Sequence, residues 1–144
     1  MENSNHFNVI VIGAGISGIG AGYYLKKNCP NKSFCIIEGR ENIGGTWDLF
    51  KYPGIRSDSD MFTLGYAFKP WKEQKTIANG PSILSYLEET VEENNLREKI
   101  KFSHKVLSAN WNSAERNWEV RAAHHEQEIL LSLIHISEPT RHDQ

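Results

Sequence analysis

Residues 7–18 read FNVIVIGAGISG, and this stretch decides the fold. Its first six residues form a short, β-rich apolar run, typical of a strand that is covered on both faces. Three glycines follow, and residues 17–27 predict a short helix. A second apolar run, SFCIIE at residues 33–38, predicts the next strand. Strand, glycine turn, helix and strand make a βαβ unit with a right-handed crossover, so we expect an α/β fold with a parallel sheet.

The glycines of the turn, Gly13, Gly15 and Gly18, have the spacing GxGxxG. The first permits a tight turn, the second leaves space for a diphosphate beside the backbone, and the third lets helix and strand pack closely. The start of the helix then offers free N–H groups to a phosphate. Such a pattern also arises by chance or in ordinary turns, but the strand before it and the helix after it favour a dinucleotide-binding turn.

Glu38 lies at the end of the second predicted strand, twenty residues after Gly18. A carboxylate at this point can accept hydrogen bonds from the ribose hydroxyls, and it would repel a 2′-phosphate. The site therefore suits the ADP half of FAD, or NAD, and disfavours NADP. The alternative is a surface glutamate after a structural glycine turn.

Residues 39–71 show no helix or strand periodicity and are predicted to form a long ordered loop with short helical turns. Loops of this length inside a domain are usually functional. A second glycine pair, Gly44 and Gly45, would let the backbone approach the flavin side of a dinucleotide. Thr46 adds a hydroxyl and Trp47 a flat surface for stacking. An ordinary loop around a buried tryptophan remains the alternative.

The rest of the chain predicts one longer helix and a small β-meander. Asn79, Gly80 and Pro81 mark the start of the helix, and residues 94–95 mark its end. Its apolar face contains Ile83, Leu84, Leu87 and Val91.

Three strands are predicted after this helix, at residues 101–111, 118–123 and 127–131. A turn joins the first two strands. Trp111 and Trp118 are expected to pack against each other across this hairpin.

Composition excludes several classes of protein. The chain of 144 residues is long enough for one domain, and its net charge of −2 does not favour binding to nucleic acid. No apolar run approaches the length of a transmembrane segment, and the polar N-terminus lacks a signal-peptide pattern, so we expect a cytoplasmic protein. Cys29 and Cys35 are interpreted as unpaired thiols. No metal site is expected, because His124 and His125 should point to opposite faces of a strand, as surface residues.

The run GGTWDLFKYPGIRSDSDMFTLGYAFKPW at residues 44–71, together with GAGISG, resembles the class B flavoprotein monooxygenases. Within that class it resembles the Baeyer–Villiger monooxygenases, and among these the ethionamide-activating type, over residues 7–123. The resemblance implies a Rossmann-like domain with tightly bound FAD, and NADPH as reductant. It also implies molecular oxygen and a small ketone or sulfide as substrates. The alternatives are a related monooxygenase that oxidises nitrogen or sulfur, and a non-catalytic nucleotide-binding fragment.

The same resemblance assigns roles to individual positions. In the first motif it implies cofactor contacts at Gly13, Gly15, Ile16, Ser17, Gly18 and Glu38. In the second it implies FAD contacts at Gly45, Thr46, Trp47, Asp48 and Leu49. Asp58 matches a catalytic acid near the flavin that orients an arginine. From the residues alone, Asp58 could equally cap a helix or turn, and Ser57 and Asp60 compete for its role. The resemblance further implies that Arg56, Ser57 and Asp58 approach NADP, and that the backbone of Val106 contacts the adenine end.

The family pattern also predicts where this sequence departs from a complete enzyme. Residues 1–131 are expected to form a partial FAD-binding domain that is not catalytic by itself, because a second GxGxxG motif, for NADPH, is lacking. Residues 131–141 read LSLIHISEPTR, which looks like a translated sequencing adapter. Residues 132–144 are therefore expected to be a non-native or disordered, poorly packed tail. A divergent C-terminal extension is the alternative.

Overall fold

A computed structural model describes residues 5–57, 60–72 and 77–137, apart from the side chains of residues 62–63 and 135–137. The strands are β1 (His6–Ile12), β2 (Phe34–Ile37), β3 (Ile100–Lys101), β4 (His104–Asn112), β5 (Asn117–His124) and β6 (Gln127–Ser137). The helices are α1 (Ile16–Asn28), α2 (Thr46–Leu49), α3 (Met61–Leu64) and α4 (Gly80–Glu93), with a 3-10 turn at Arg97–Lys99.

The six strands form one sheet in the order β3-β2-β1-β6-β5-β4. The first four are parallel to one another, and β4, β5 and β6 form an antiparallel meander. This arrangement is Rossmann-like, and it confirms the predicted βαβ unit and the α/β fold class.

The core lies on both faces of the sheet, because successive side chains of a strand point in opposite directions. On one face Val11 and Ile36 pack with Ile19 of α1 and Leu87 of α4. On the other face a second cluster contains Ile10, Cys35, Ile37, Val120, Leu131 and Leu133. Burial on both sides explains why β1 and β2 read as apolar runs.

Helix α4 starts and ends where the sequence predicts. Asn79 is its N-cap, and the Asn79 side chain accepts a hydrogen bond from the backbone N–H of Ser82 at 2.9 Å. The side chains of Ile83, Leu87 and Val91 are fully buried. The apolar face of α4 therefore packs on the sheet beside α1.

The long loop contains two short helices, α2 and α3, as expected. The single strand predicted at residues 101–111 is wrong, because a turn at Phe102 and Ser103 divides it into β3 and β4. Ser103 has a positive φ of 58°. The break lets β3 pair in parallel with β2 while β4 pairs antiparallel with β5. Beyond it the hairpin is as predicted, with the rings of Trp111 and Trp118 5.7 Å apart.

Strand β6 extends beyond residue 131, where the sequence analysis placed the end of the domain. Ser132 and Leu133 pair with His6 and Phe7 of β1, and Leu133 is fully buried. Residues 132–137 thus have a place in the sheet and Leu133 is packed, whereas Ile134 is 44% exposed. The assignment of residues 132–144 as a non-native or disordered tail stays a prediction. The alternation of Leu131 and Leu133 fits the second core cluster, and the open edge of β1 supplies hydrogen-bond partners. Residues 138–144 lie outside the described part of the chain.

His125 is exposed, as expected, but the strand geometry assumed for the two histidines is wrong. His125 lies in the turn after β5 with a φ of 59°, so the alternation of a strand does not apply to it. Its ring lies 4.2 Å from that of His124, which stacks on His104 at 4.0 Å. Even so, within the described ranges no three His, Cys, Asp or Glu side chains are arranged to hold a metal ion.

Two further features concern the thiols and the helices. Cys29 and Cys35 are both free, as predicted, and burial raises the pKa of the Cys35 thiol to about 12. Within the part of the chain that the structure describes, no helix has the length and apolar character needed to cross a membrane.

Replacement of Gly18 by alanine is expected to be severely destabilising. A Cβ at Gly18 would overlap the carbonyl oxygen of Gly13 and lie 2.9 Å from its carbonyl carbon. Backbone atoms cannot move aside cheaply, so the loss should reach about 3 kcal/mol or more. Urea denaturation followed by circular dichroism measures it.

Gly39→Ala is the matched control, because its Cβ would meet only ordinary contacts at 3.8 Å. Its stability should stay within about 0.5 kcal/mol of the wild type. Equal losses in the two variants would show that α1 does not depend on the close approach at Gly18.

Candidate dinucleotide-binding site

The first glycine turn joins β1 to α1 and leaves the start of the helix open. Gly13 has a φ of +100°, and its N–H donates to Ile37 O at 2.7 Å. Gly15 is the N-cap of α1 and supplies no side chain. The N–H groups of the first helical turn, at Ile16, Ser17 and Gly18, have no acceptor within the helix. This turn can therefore receive an anion, as the sequence predicts.

Glu38 lies directly against this turn. Its side chain is only 7% exposed. Oε1 accepts the N–H of Ala14 at 2.7 Å, and Oε2 accepts the N–H of Arg40 at 3.0 Å. Each carboxylate oxygen can accept a further hydrogen bond. The carboxylate is thus fixed in position and still able to receive a ribose hydroxyl.

A second glycine turn faces the first. The N–H of Gly44 donates to Ala14 O at 2.9 Å. A Cβ built on Gly45 would lie 3.2 Å from the Cα of Gly15. The two turns therefore touch through bare backbone, and no side chain at Gly15 or Gly45 covers the N–H groups at the start of α1. Helix α2 then begins at Thr46, which is exposed, and Trp47 is half-buried.

Asp48 is buried in α2 and bound to two cations. Its side chain is 4% exposed, with Oδ2 2.7 Å from Arg40 Nη2 and Oδ1 3.3 Å from Lys51 Nζ. The hydrogen bond from Arg40 lowers the pKa of the Asp48 carboxyl, despite the opposing effect of burial. The side chain of Leu49 is 52% exposed. Sequence reasoning missed Arg40 as a partner, because nothing in the residue pattern of α2 indicates that Asp48 is buried.

The loop after α2 is attached to the segment that precedes α4. The N–H of Ser57 donates to Ala78 O, and the N–H of Gly80 donates to Ile55 O, both at 2.9 Å. Ser57 is buried and Arg56 is exposed. The predicted catalytic residue Asp58 lies outside the described residues, so its assignment stays a prediction.

A cleft of about 820 Å³ opens between this loop and α4. Trp47 and Arg56 both line this cleft, so it extends from the helix that follows the second glycine turn to the loop that contains Arg56. The other lining residues are mainly aromatic, aliphatic or cationic and include Phe50, Lys51, Tyr52, Ile77 and Leu84.

Val106 lies on β4, next to the end of β2. The N–H of His104 donates to Glu38 O at 2.9 Å, which anchors the start of β4 beside the acid. The side chain of Val106 packs against the second core cluster. A contact of this residue with a ligand would therefore use its backbone, and the contact itself stays a prediction.

Fold and site together define a Rossmann-like dinucleotide-binding domain. Residues 11–73 match the family model described as an NAD(P)-binding Rossmann-like domain. The chain is 52% identical over 135 residues to the FAD-containing monooxygenase EthA of Mycolicibacterium smegmatis, covering 92% of this chain and 27% of that protein.

Two solved structures share the fold. One is an oxidised steroid monooxygenase bound to NADP, with 28% identity, a TM-score of 0.83, and coverage of 92% of this chain and 26% of the other. The second, a cyclohexanone monooxygenase with bound ε-caprolactone, gives the same four values. The chain thus spans about a quarter of the length of the proteins it matches.

Asp48→Asn is expected to lower stability in a pH-dependent way. Because the pKa of Asp48 is lowered on folding, its charge stabilises the fold above the ordinary pKa of about 3.9 and ceases to do so as the pH falls through the folded value. The variant should be about 1–2 kcal/mol less stable at pH 7, and the difference should shrink below about pH 4. Urea denaturation at several pH values measures both.

Glu128→Gln is the control, since Glu128 is 61% exposed in its ion pair with Arg121. It should change stability by less than about 0.5 kcal/mol at pH 7. A loss for Asp48→Asn that stays constant down to pH 2 would contradict a role for the carboxylate charge.

Proposed function

We propose that this chain binds FAD over the start of α1, beside the contact of its two glycine turns, and belongs to an NADPH-dependent flavin monooxygenase. The observation that carries the proposal is the approach of Gly15 to Gly45, beside the fixed carboxylate of Glu38. A Cβ on Gly45 would lie 3.2 Å from Gly15 Cα, so the two turns meet through bare backbone and leave the start of α1 uncovered by side chains. Bare backbone on both sides suits the diphosphate of a dinucleotide.

Each part of FAD has a partner among these residues. The N–H groups at the start of α1 would bind the diphosphate, and Glu38 would accept the ribose hydroxyls. Trp47 and Thr46 would contact the flavin half. Bound FAD, once reduced, supplies the electrons that activate molecular oxygen.

The reaction that we propose is the insertion of oxygen into a ketone, or the oxidation of a sulfide. Support comes from the similar proteins, since ε-caprolactone is cyclohexanone with one oxygen inserted into its ring. In the balanced reaction, ketone, O2, NADPH and a proton give an ester or lactone, NADP⁺ and water. We further propose that Arg56, Ser57 and Asp58 approach the NADP.

This activity is proposed for the whole protein that contains the domain, because the chain spans about a quarter of the length of its relatives. The chain itself is proposed to bind the cofactor without turning over. Its contribution is to hold and orient the dinucleotide.

The activity is tested with the full-length protein, purified with FAD. Oxygen uptake that needs both NADPH and a ketone, with the ester or lactone detected by mass spectrometry, is the expected result. Turnover of sulfides or amines with no ketone product would instead favour the related class of monooxygenases. The 144-residue chain should oxidise NADPH no faster than free flavin does.

Gly15→Ala is expected to weaken FAD binding without unfolding the chain. Gly15 has a φ of −88°, and its Cβ would meet only Gly45 Cα, at an ordinary 3.7 Å. The stability should therefore change by less than about 1 kcal/mol. The methyl group would occupy the space of the diphosphate, so the affinity for FAD should fall at least about tenfold. Quenching of flavin fluorescence measures the affinity of the 144-residue chain.

Ser113→Ala, in the turn between β4 and β5, serves as the control and should bind FAD like the wild type. An unchanged affinity for FAD in Gly15→Ala would contradict the assignment of the diphosphate to a position beside Gly15.

A further inference from the structure

Arg40 connects segments of the candidate site that are distant in the chain. Its Nη2 donates to Asp48 Oδ2 at 2.7 Å, and its backbone N–H donates to Glu38 Oε2 at 3.0 Å. Its carbonyl oxygen accepts the N–H of Ser103 at 2.9 Å. Although the side chain is 42% exposed, the residue is held on both sides of its backbone and at the guanidinium.

The hydrogen bonds of Arg40 complete a closed ring of hydrogen bonds that includes both glycine turns. The ring runs from Gly44 N–H to Ala14 O, from Ala14 N–H to Glu38 Oε1, from Arg40 N–H to Glu38 Oε2, from Arg40 Nη2 to Asp48 Oδ2, and from Asp48 N–H to Gly45 O. Only the bond between Arg40 and Asp48 joins two side chains. Replacement of the Arg40 side chain therefore removes this one bond and leaves in place every bond that a backbone N–H donates.

Arg40 is the principal partner of Asp48. A carboxylate that is 4% exposed needs a compensating cation, because an unpaired buried charge is costly. Lys51 approaches Asp48 at the longer distance of 3.3 Å, and its side chain is 64% exposed. The planar guanidinium also has N–H donors besides the one that binds Asp48.

We propose that Arg40 is a positioning residue for FAD, which sets the second glycine turn against the first through Asp48. The inference rests on the proposed function. Arg40 then acts on the flavin half of the site, since Asp48 belongs to α2, directly after Gly45. The ADP half would use the first turn, Glu38 and the backbone of Val106. The bond of Glu38 to Arg40 comes from the Arg40 backbone and survives replacement of its side chain.

Arg40→Met tests this role, because methionine keeps an unbranched apolar stem and removes the donors. In the 144-residue chain the affinity for FAD should fall about tenfold, as for the loss of one charged hydrogen bond. The affinity for ADP should fall by less than about threefold. Flavin fluorescence gives the first constant and titration calorimetry the second.

A double-mutant cycle separates positioning from general destabilisation. Asp48→Asn should weaken FAD binding as much as Arg40→Met, and the double variant should lose no more than either single variant. Arg40→Lys keeps a cation and should recover part of the affinity. Arg121→Met, which breaks the exposed ion pair with Glu128 at 3.5 Å, is the matched control and should bind both ligands normally.

Three results would overturn the proposal. The first is an unchanged affinity for FAD in Arg40→Met. The second is an equal loss of affinity for FAD and ADP, which would mean that Arg40 contacts the adenosine directly. The third is a double variant in which the affinity losses of the two single variants multiply. Thermal melting of each variant is recorded, and if Arg40→Met does not fold, Arg40→Lys and Asp48→Asn decide by the same FAD-to-ADP comparison. A wild-type chain that binds neither ligand would instead overturn the proposed function.

Discussion

The close contact between Gly18 of α1 and Gly13, in the turn after β1, controls how the first helix packs and so the position of everything built on it. A Cβ at Gly18 would overlap the Gly13 carbonyl, so the helix can lie this close only with glycine there. The contact directs the start of α1 toward the end of β1. It also places Ile19 in the core between the sheet and α4. The open N–H groups of α1 therefore face the segment that follows β2, where the second glycine turn lies.

Backbone groups and the carboxylate of Glu38 together hold the candidate site in shape. Glu38 binds the backbone of the first turn through Ala14, and Ala14 in turn binds Gly44 of the second turn. The acid that is suited to the ribose thus also helps to hold the protein in shape. Arg40 and Asp48 extend the same arrangement to α2. A ligand over the start of α1 would meet a surface that is already ordered before it binds, which lowers the entropic cost of binding.

Much of this could be predicted, and the failures have physical causes. The βαβ unit, α4 and the tryptophan hairpin follow from local periodicity and turn residues, which act over a few positions. The prediction of one strand at 101–111 failed because its two halves pair with different strands, and local β-propensity does not specify which strands pair. The strand predicted at 127–131 continues to Ser137, because leucines at positions 131 and 133 alternate onto the core face and the edge of β1 is open to pairing. In the site, Gly15 and Glu38 were found by spacing, whereas Arg40 was missed.

The sequence by itself determined the class of fold and the position of the first glycine turn, because glycine spacing and apolar runs restrict the backbone locally. It also marked Glu38, since strand length and turn length fix where the acid must come. Only the tertiary structure decided that Gly15 faces Gly45, that Asp48 is buried, and that Arg40 is its partner. These contacts join segments whose approach depends on the packing of whole elements, and no local pattern specifies a distance between them.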